Sequence, residues 1–155
     1  MTPTSGKQPL GDRLVKLTAT FFGIGLSGWA PGTMGSVAGV LIAWFAGPAA
    51  PALLLFFIAL GFIIAKPATR VLNSGDPSSF VLDEVCGMML ALTLVPKDIY
   101  LFGAGFILFR FFDILKPWPI SLIQKSKRPA AILWDDLAAG LFANVLIQLY
   151  LILKS

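Results

Sequence analysis

Long apolar runs divided by short polar breaks organise this chain. Leu17 to Ala65 holds no charged residue over 49 positions. Within that run Pro48-Ala-Ala-Pro51 interrupts the apolar sequence and predicts a helical hairpin. Its first helix is expected from Met34 to Gly47, its second from Ala52 to Ala65 and on to about Leu72, with Lys66 and Arg70 marking the exit from the apolar layer. Three further helices are expected over Phe80 to Leu94, Ile99 to Leu115 and Ala130 to Leu153. Between them lie the loop 73–79 (NSGDPSS), the tight turn Pro96-Lys97-Asp98, and a loop or short amphipathic piece from Trp118 to Arg128. Asp76 sits in a turn sequence and reads as a turn residue. Ahead of the hairpin, Met1 to Lys16 is polar, carries two prolines and two glycines, and reads as a cytoplasmic tail leading into a short helix. Leu17 to Trp29 has about two-thirds of the roughly 20 residues a membrane span requires, so a short, re-entrant or interfacial helix is expected there. The fold class is all-α: one membrane-embedded bundle over residues 1–155, with about four to five membrane helices plus the short N-terminal one.

Composition strengthens this picture. The chain is 57% hydrophobic and 13% charged, with a mean hydropathy of +0.83, whereas soluble domains are about a quarter charged. The net charge of +4 bears on orientation and anionic lipid headgroups, not on nucleic acid. There is no histidine, which removes a His phosphoenzyme, a Ser-His-Asp triad and any His-based metal site. The single cysteine, Cys86, excludes an internal disulfide and a Cys-rich zinc site, and reads as a small buried filler. The N-terminal stretch lacks a cleavage site and is expected to stay on the protein.

Placing the Pro48–Pro51 turn outside makes the helices alternate. Of the 12 basic residues only Lys97 and Lys154 then fall outside, in agreement with the positive-inside rule. The same alternation brings four polar motifs to the inner face.

These motifs carry the candidate chemistry. Arg110, Asp113 and Lys116 recur at spacings of three in FRFFDILKPWP, which places them on one helical face before Pro117 and Pro119 stop the helix. Asp83-Glu84 and Asp135-Asp136 lie near the starts of two other helices. A lone charge in the bilayer core costs at least about 2.5 kcal/mol, so these five acids need cations, shared protons or interfacial water. Magnesium suits them, because it takes hard oxygen ligands and shares its shell with phosphate and water. Arg110 and Lys116 also suit a phosphate. The loop Ala30-Pro-Gly-Thr-Met-Gly-Ser36 offers Thr33 or Ser36 as a helix cap, or its free N–H groups as a phosphate cradle. The plainer alternatives are acids favoured by a helix dipole and an intrahelical Arg110–Asp113 ion pair. Lys125, Lys127 and Arg128 read as topology signals or headgroup contacts, and Asn144 with Gln148 as interhelical hydrogen-bonders. An ion or solute carrier is the rival function, since intramembrane acids often mark ion pathways.

The four motifs APGTMGS, LDEVCG, FRFFDILKPWPI and WDDLAAG, in this order over about Phe22 to Leu146, resemble the bacterial phosphatidylglycerophosphatase A family. The resemblance implies a small multi-pass inner-membrane enzyme with its active site facing the cytoplasm. Such an enzyme removes the terminal phosphate of phosphatidylglycerophosphate with magnesium, giving phosphatidylglycerol. It implies that Asp83, Glu84, Asp113 and Asp136 carry the metal-dependent chemistry, with Asp135 as a further metal ligand. It also implies that Arg110, Lys116, Thr33, Gly35 and Ser36 hold the substrate. The CDP-alcohol phosphotransferases share acidic helices and lipid substrates, but their longer aspartate-glycine signature is absent here.

Overall fold

The computed structural model describes residues 9–72, 79–118, 120–124 and 131–154. The expectations for residues 1–8, for Asp76 and its loop, for Pro119, and for Lys125, Lys127 and Arg128 fall outside the described residues. The chain is helical, and no strand occurs among the described residues. The helices are α1 (Leu10–Ala19), α2 (Pro31–Ala46), α3 (Ala50–Leu72), α4 (Leu82–Ala91), α5 (Ile99–Leu115), α6 (Ile120–Gln124) and α7 (Ala131–Lys154). The proline-bounded hairpin turn stands where expected, as a single 3₁₀ turn over Gly47–Ala49 between α2 and α3.

Helix α4 is the centre of the bundle. Eight of its ten residues are buried, and it packs against α2, α3, α5 and α7. Small residues make these approaches close. A Cβ on Gly39 of α2 would stand 2.8 Å from the Cβ of Met88, and one on Gly87 of α4 would stand 2.6 Å from the backbone oxygen of Asp136. In lipid no hydrophobic force drives helices together, so contacts of this kind take over that role. The core between the helices is filled by Phe109, Leu82, Met88, Met89 and Leu133.

The outer faces are apolar. Phe45, Leu55, Ile63 and Ile107 are each between 67% and 79% exposed, an arrangement suited to lipid and ill-suited to water. Two stretches, Pro31–Leu72 and Ala131–Lys154, are long and apolar enough to cross a membrane.

Three boundaries differ from expectation. Residues 10–16, assigned from sequence to the polar tail, form the first turns of α1, which docks on α3 with Asp12 paired to Arg70 at 3.0 Å. The expected helix over Leu17 to Trp29 breaks up instead after Ala19. There Phe22 N–H returns to the Leu17 carbonyl, and Phe21, Phe22 and Gly23 all take positive φ. Helix α4 begins two residues later and ends three residues earlier than the expected Phe80–Leu94. The Thr93 hydroxyl donates to the Met89 carbonyl, and Leu94 adopts a left-handed conformation. The carbonyls released at that end are met by α7: Asn144 donates to Ala91 O and Thr93 O, and Gln148 donates to Thr93 O and Leu94 O. This is the interhelical role that their spacing predicted, and backbone oxygens in an apolar layer need such donors.

Candidate active site

Three helix ends and one early helical turn meet at one end of the bundle. Asp83 and Glu84 stand in the first turn of α4. Asp135 and Asp136 come one turn into α7, where both are buried. Arg110 and Asp113 belong to the last two turns of α5. The N-terminus of α2 covers them: a Cβ on Gly32 would lie 2.6 Å from Glu84 Oε1 and 3.4 Å from Arg110 Nη1.

Carboxyl oxygens of Asp83, Glu84 and Asp136 all lie within 4.8 Å of one another. Glu84 Oε2 is buried with no hydrogen-bond partner, as is Asp135 Oδ1. Asp83 Oδ1 accepts from the Glu84 N–H at 2.9 Å. A buried trio of hard oxygen donors with an unpartnered member fits a small divalent cation. A histidine-free, thiol-poor donor set does not favour softer metals.

The other two acids are engaged by cations. Arg110 Nη1 donates to Asp113 Oδ2 at 2.7 Å, the i,i+3 pair weighed from sequence. Lys116 pairs with Asp135 of α7. Lys116 is not a third member of the α5 stripe, because the helix has already ended. It occupies a left-handed position (φ 40°) ahead of Pro117, which turns its side chain toward α7. Burial disfavours its charge, but the pair with Asp135 outweighs that and holds its pKa above the ordinary value. Asp113 lies near enough to Glu84 and Asp136 to act on both electrostatically. Five carboxylates therefore share one locality with two cations.

The loop residues divide. Gly35 faces α4, where a Cβ would sit 3.3 Å from Glu84 Cβ, and the buried Ser36 hydroxyl donates to the Gly32 carbonyl at 2.9 Å. Thr33 is half-buried in the first turn of α2. Neither Thr33 nor Ser36 caps the helix as expected. The cap position is Ala30, with φ 37° and no side-chain hydrogen bond, because Pro31 already starts the helix. Sequence reasoning passed over Gly32, the loop residue nearest the charges. The available signal was its place right after Pro31, in the first turn of a helix whose N–H groups point outward.

This arrangement defines a class: an all-helical protein with membrane-length apolar stretches that gathers acids and cations at one end of its bundle. A sequence model of the family described as Phosphatidylglycerophosphatase A matches residues 17–151. The chain belongs to that family. It is similar to the Phosphatidylglycerophosphatase A of Escherichia coli K12, at 33% identity over 82% of this chain and 77% of the relative. The Haemophilus influenzae protein of the same name is 35% identical over 86% of each chain. A relative from Bacteroides thetaiotaomicron, named provisionally as a phosphatidylinositol-3-phosphatase, is 32% identical over 84% of this chain and 89% of its own. No solved structure matches the chain.

Proposed function

We propose that this protein is a phosphatidylglycerophosphatase, hydrolysing the terminal phosphomonoester of phosphatidylglycerophosphate to phosphatidylglycerol and phosphate. The observation that carries the reading is the juxtaposition of the Asp83, Glu84 and Asp136 oxygens with Arg110 under the N-terminus of α2. Asp83, Glu84 and Asp136 would hold a magnesium ion, with Asp113 and Asp135 completing its acidic surroundings. When bound, magnesium supplies charge neutralisation for phosphoryl oxygens and a means of orienting water. Arg110 takes the phosphate with its free guanidinium N–H groups, while Asp113 fixes the orientation of that guanidinium. Lys116 adds positive charge from the α7 side and keeps Asp135 paired. Thr33, Gly35 and Ser36 shape the turn that brings the outward N–H groups of α2 to the phosphate.

The enzyme sits in the bacterial inner membrane with this end at the cytoplasmic headgroups. Helices α2, α3, α5 and α7 cross, and α4, about 15 Å long, crosses only in part. The acids of its first turn lie beside the start of α2 and the last turns of α5, at the end of the bundle that faces the headgroups. Clustering at one end is also what separates this reading from a carrier, whose sites lie near the midplane.

The test is phosphate release from phosphatidylglycerophosphate in mixed micelles by purified protein with magnesium. Asp83→Asn and Asp136→Asn are expected to lower the rate at least about a hundredfold while the helical circular dichroism spectrum is kept. Magnesium is expected to raise the unfolding temperature of the wild type and not of Asp136→Asn. Full activity in both variants would overturn the site. The name of the Bacteroides relative motivates phosphatidylinositol 3-phosphate as the comparison substrate; turnover of that lipid alone would keep the chemistry and change the headgroup.

A further inference from the structure

The charged cluster explains where a phosphate binds but not how a two-tailed lipid reaches it. Helices α2 and α5 run antiparallel from that cluster, α2 starting at it with Gly32 and α5 ending at it with Arg110. Between them lies an apolar groove of about 360 Å³. Val37, Val40 and Leu41 line it from α2, and Phe102, Gly103 and Phe106 from α5. Its floor is the buried Phe102, and its outer edge is open, with Leu41 half-exposed.

We infer that this groove binds one acyl chain of the lipid whose phosphate occupies the charged cluster. The inference rests on the phosphatase reading above and adds the path of the lipid tail. Two observations carry it. The groove is continuous with the site: Phe106 stands one helical turn from Arg110, and Val37 one turn from Thr33. Its lining offers no charge, so a hydrocarbon is the ligand chemistry it suits. From Arg110 back to Ile99, the last groove residue on α5, is 11 residues, so the groove gives a tail an apolar lining over about 16 Å of helix.

Gly103 gives the groove its width. A Cβ there would meet nothing within 4 Å, so a larger side chain fills the groove without pushing on the protein. A second apolar groove, between α5 and α7, serves as the control. Its α7 wall, from Leu146 to Tyr150, begins 10 residues beyond Asp136, about 15 Å from the acids along the helix.

The experiment compares phosphatidylglycerophosphate bearing two oleoyl chains with the same headgroup on two hexanoyl chains. Gly103→Leu and, separately, Leu41→Trp are expected to lower kcat/KM for the long-chain lipid at least about tenfold, and to change the short-chain value less than about twofold. Ala104→Phe, which fills the second groove, is expected to leave the ratio unchanged. A lipid with a diazirine midway along one tail reads binding independently of turnover. In wild type it is expected to label peptides of α2 and α5, and in Gly103→Leu to label them far less. Equal losses for both chain lengths, unaltered ratios in both groove variants, or labelling confined to α7 would each overturn the inference. A wild type that turns over no phospholipid but is labelled along α2 and α5 would sink the phosphatase reading and leave the groove standing.

Discussion

Aspartates were the most legible residues in the sequence, for a reason of cost. An acid on an apolar helix is expensive unless it is paired, so each one stood out, and Asp83, Glu84 and Asp136 do converge. What could not be read was how the two cations divide among the acids. The three-residue spacing aligned Arg110, Asp113 and Lys116, yet Lys116 leaves the stripe at the helix end and crosses to Asp135. A left-handed cap is a backbone event, and a spacing rule carries no information about it. The pair has a consequence for stability. Asp135 is 7% exposed on its side chain and Lys116 21%, so removing the lysine strands a buried carboxylate whose other oxygen already lacks a partner. Lys116→Met is expected to destabilise the protein by about 3 kcal/mol. The double variant Lys116→Met/Asp135→Leu is expected to recover most of that loss, measured by denaturation in mixed micelles. A double variant no more stable than the single one would show that the stranded Asp135 carboxylate is not the source of the loss.

Among the helices, the apolar runs predicted α2, α3, α5 and α7 closely, because proline and charge punctuate their ends. They misplaced α1 and overextended α4. In both cases the helix ends through backbone hydrogen bonds and positive φ at ordinary residues such as Phe21, Phe22 and Leu94, with Gly23 and Pro96 following only after the turn is made. The sequence also concealed which helix lies in the middle. Helix α4 is the shortest of those that pack around the site, and it is central because Gly87 and Gly140 let its backbone and that of α7 touch. That contact sets the separation of Asp136 from Asp83 and Glu84. Gly87→Ala would place a Cβ 2.6 Å from both Asp136 O and Phe109 Cε2. It is expected to cost about 1–3 kcal/mol and to reduce activity with it, as the acids move apart. Gly11→Ala, in α1 with open space around it, is expected to be neutral or to stabilise by up to about 1 kcal/mol. Thermal unfolding of the two variants side by side measures the difference; similar values would mean that α4 and α7 can yield without loss.

At the scale of the molecule, the direction of the bundle decides whether the site meets its lipid. The acids gather where α2 begins, α4 begins and α5 ends. The turn between α4 and α5, with Lys97 stacked on Trp44 at 5.0 Å, therefore belongs to the opposite end. The C-terminal end of α7 lies there too, since Asn144 and Gln148 bond the close of α4. Charge supports the same polarity, because among the described residues Lys97 and Lys154 are the basic ones on the side away from the acids. The argument is open to a direct check, as the one natural cysteine, Cys86, is fully buried and gives no background labelling. Lys97→Cys and Lys154→Cys are expected to react with a membrane-impermeant maleimide in intact spheroplasts. Lys66→Cys and Arg13→Cys, both exposed beside the acidic end, are expected to react only after permeabilisation. The opposite pattern would put the carboxylates on the outer face, away from any lipid made at the inner leaflet. It would do so even if every distance within the site were right, because helix packing fixes the site but the placement of a few lysines fixes the leaflet it faces.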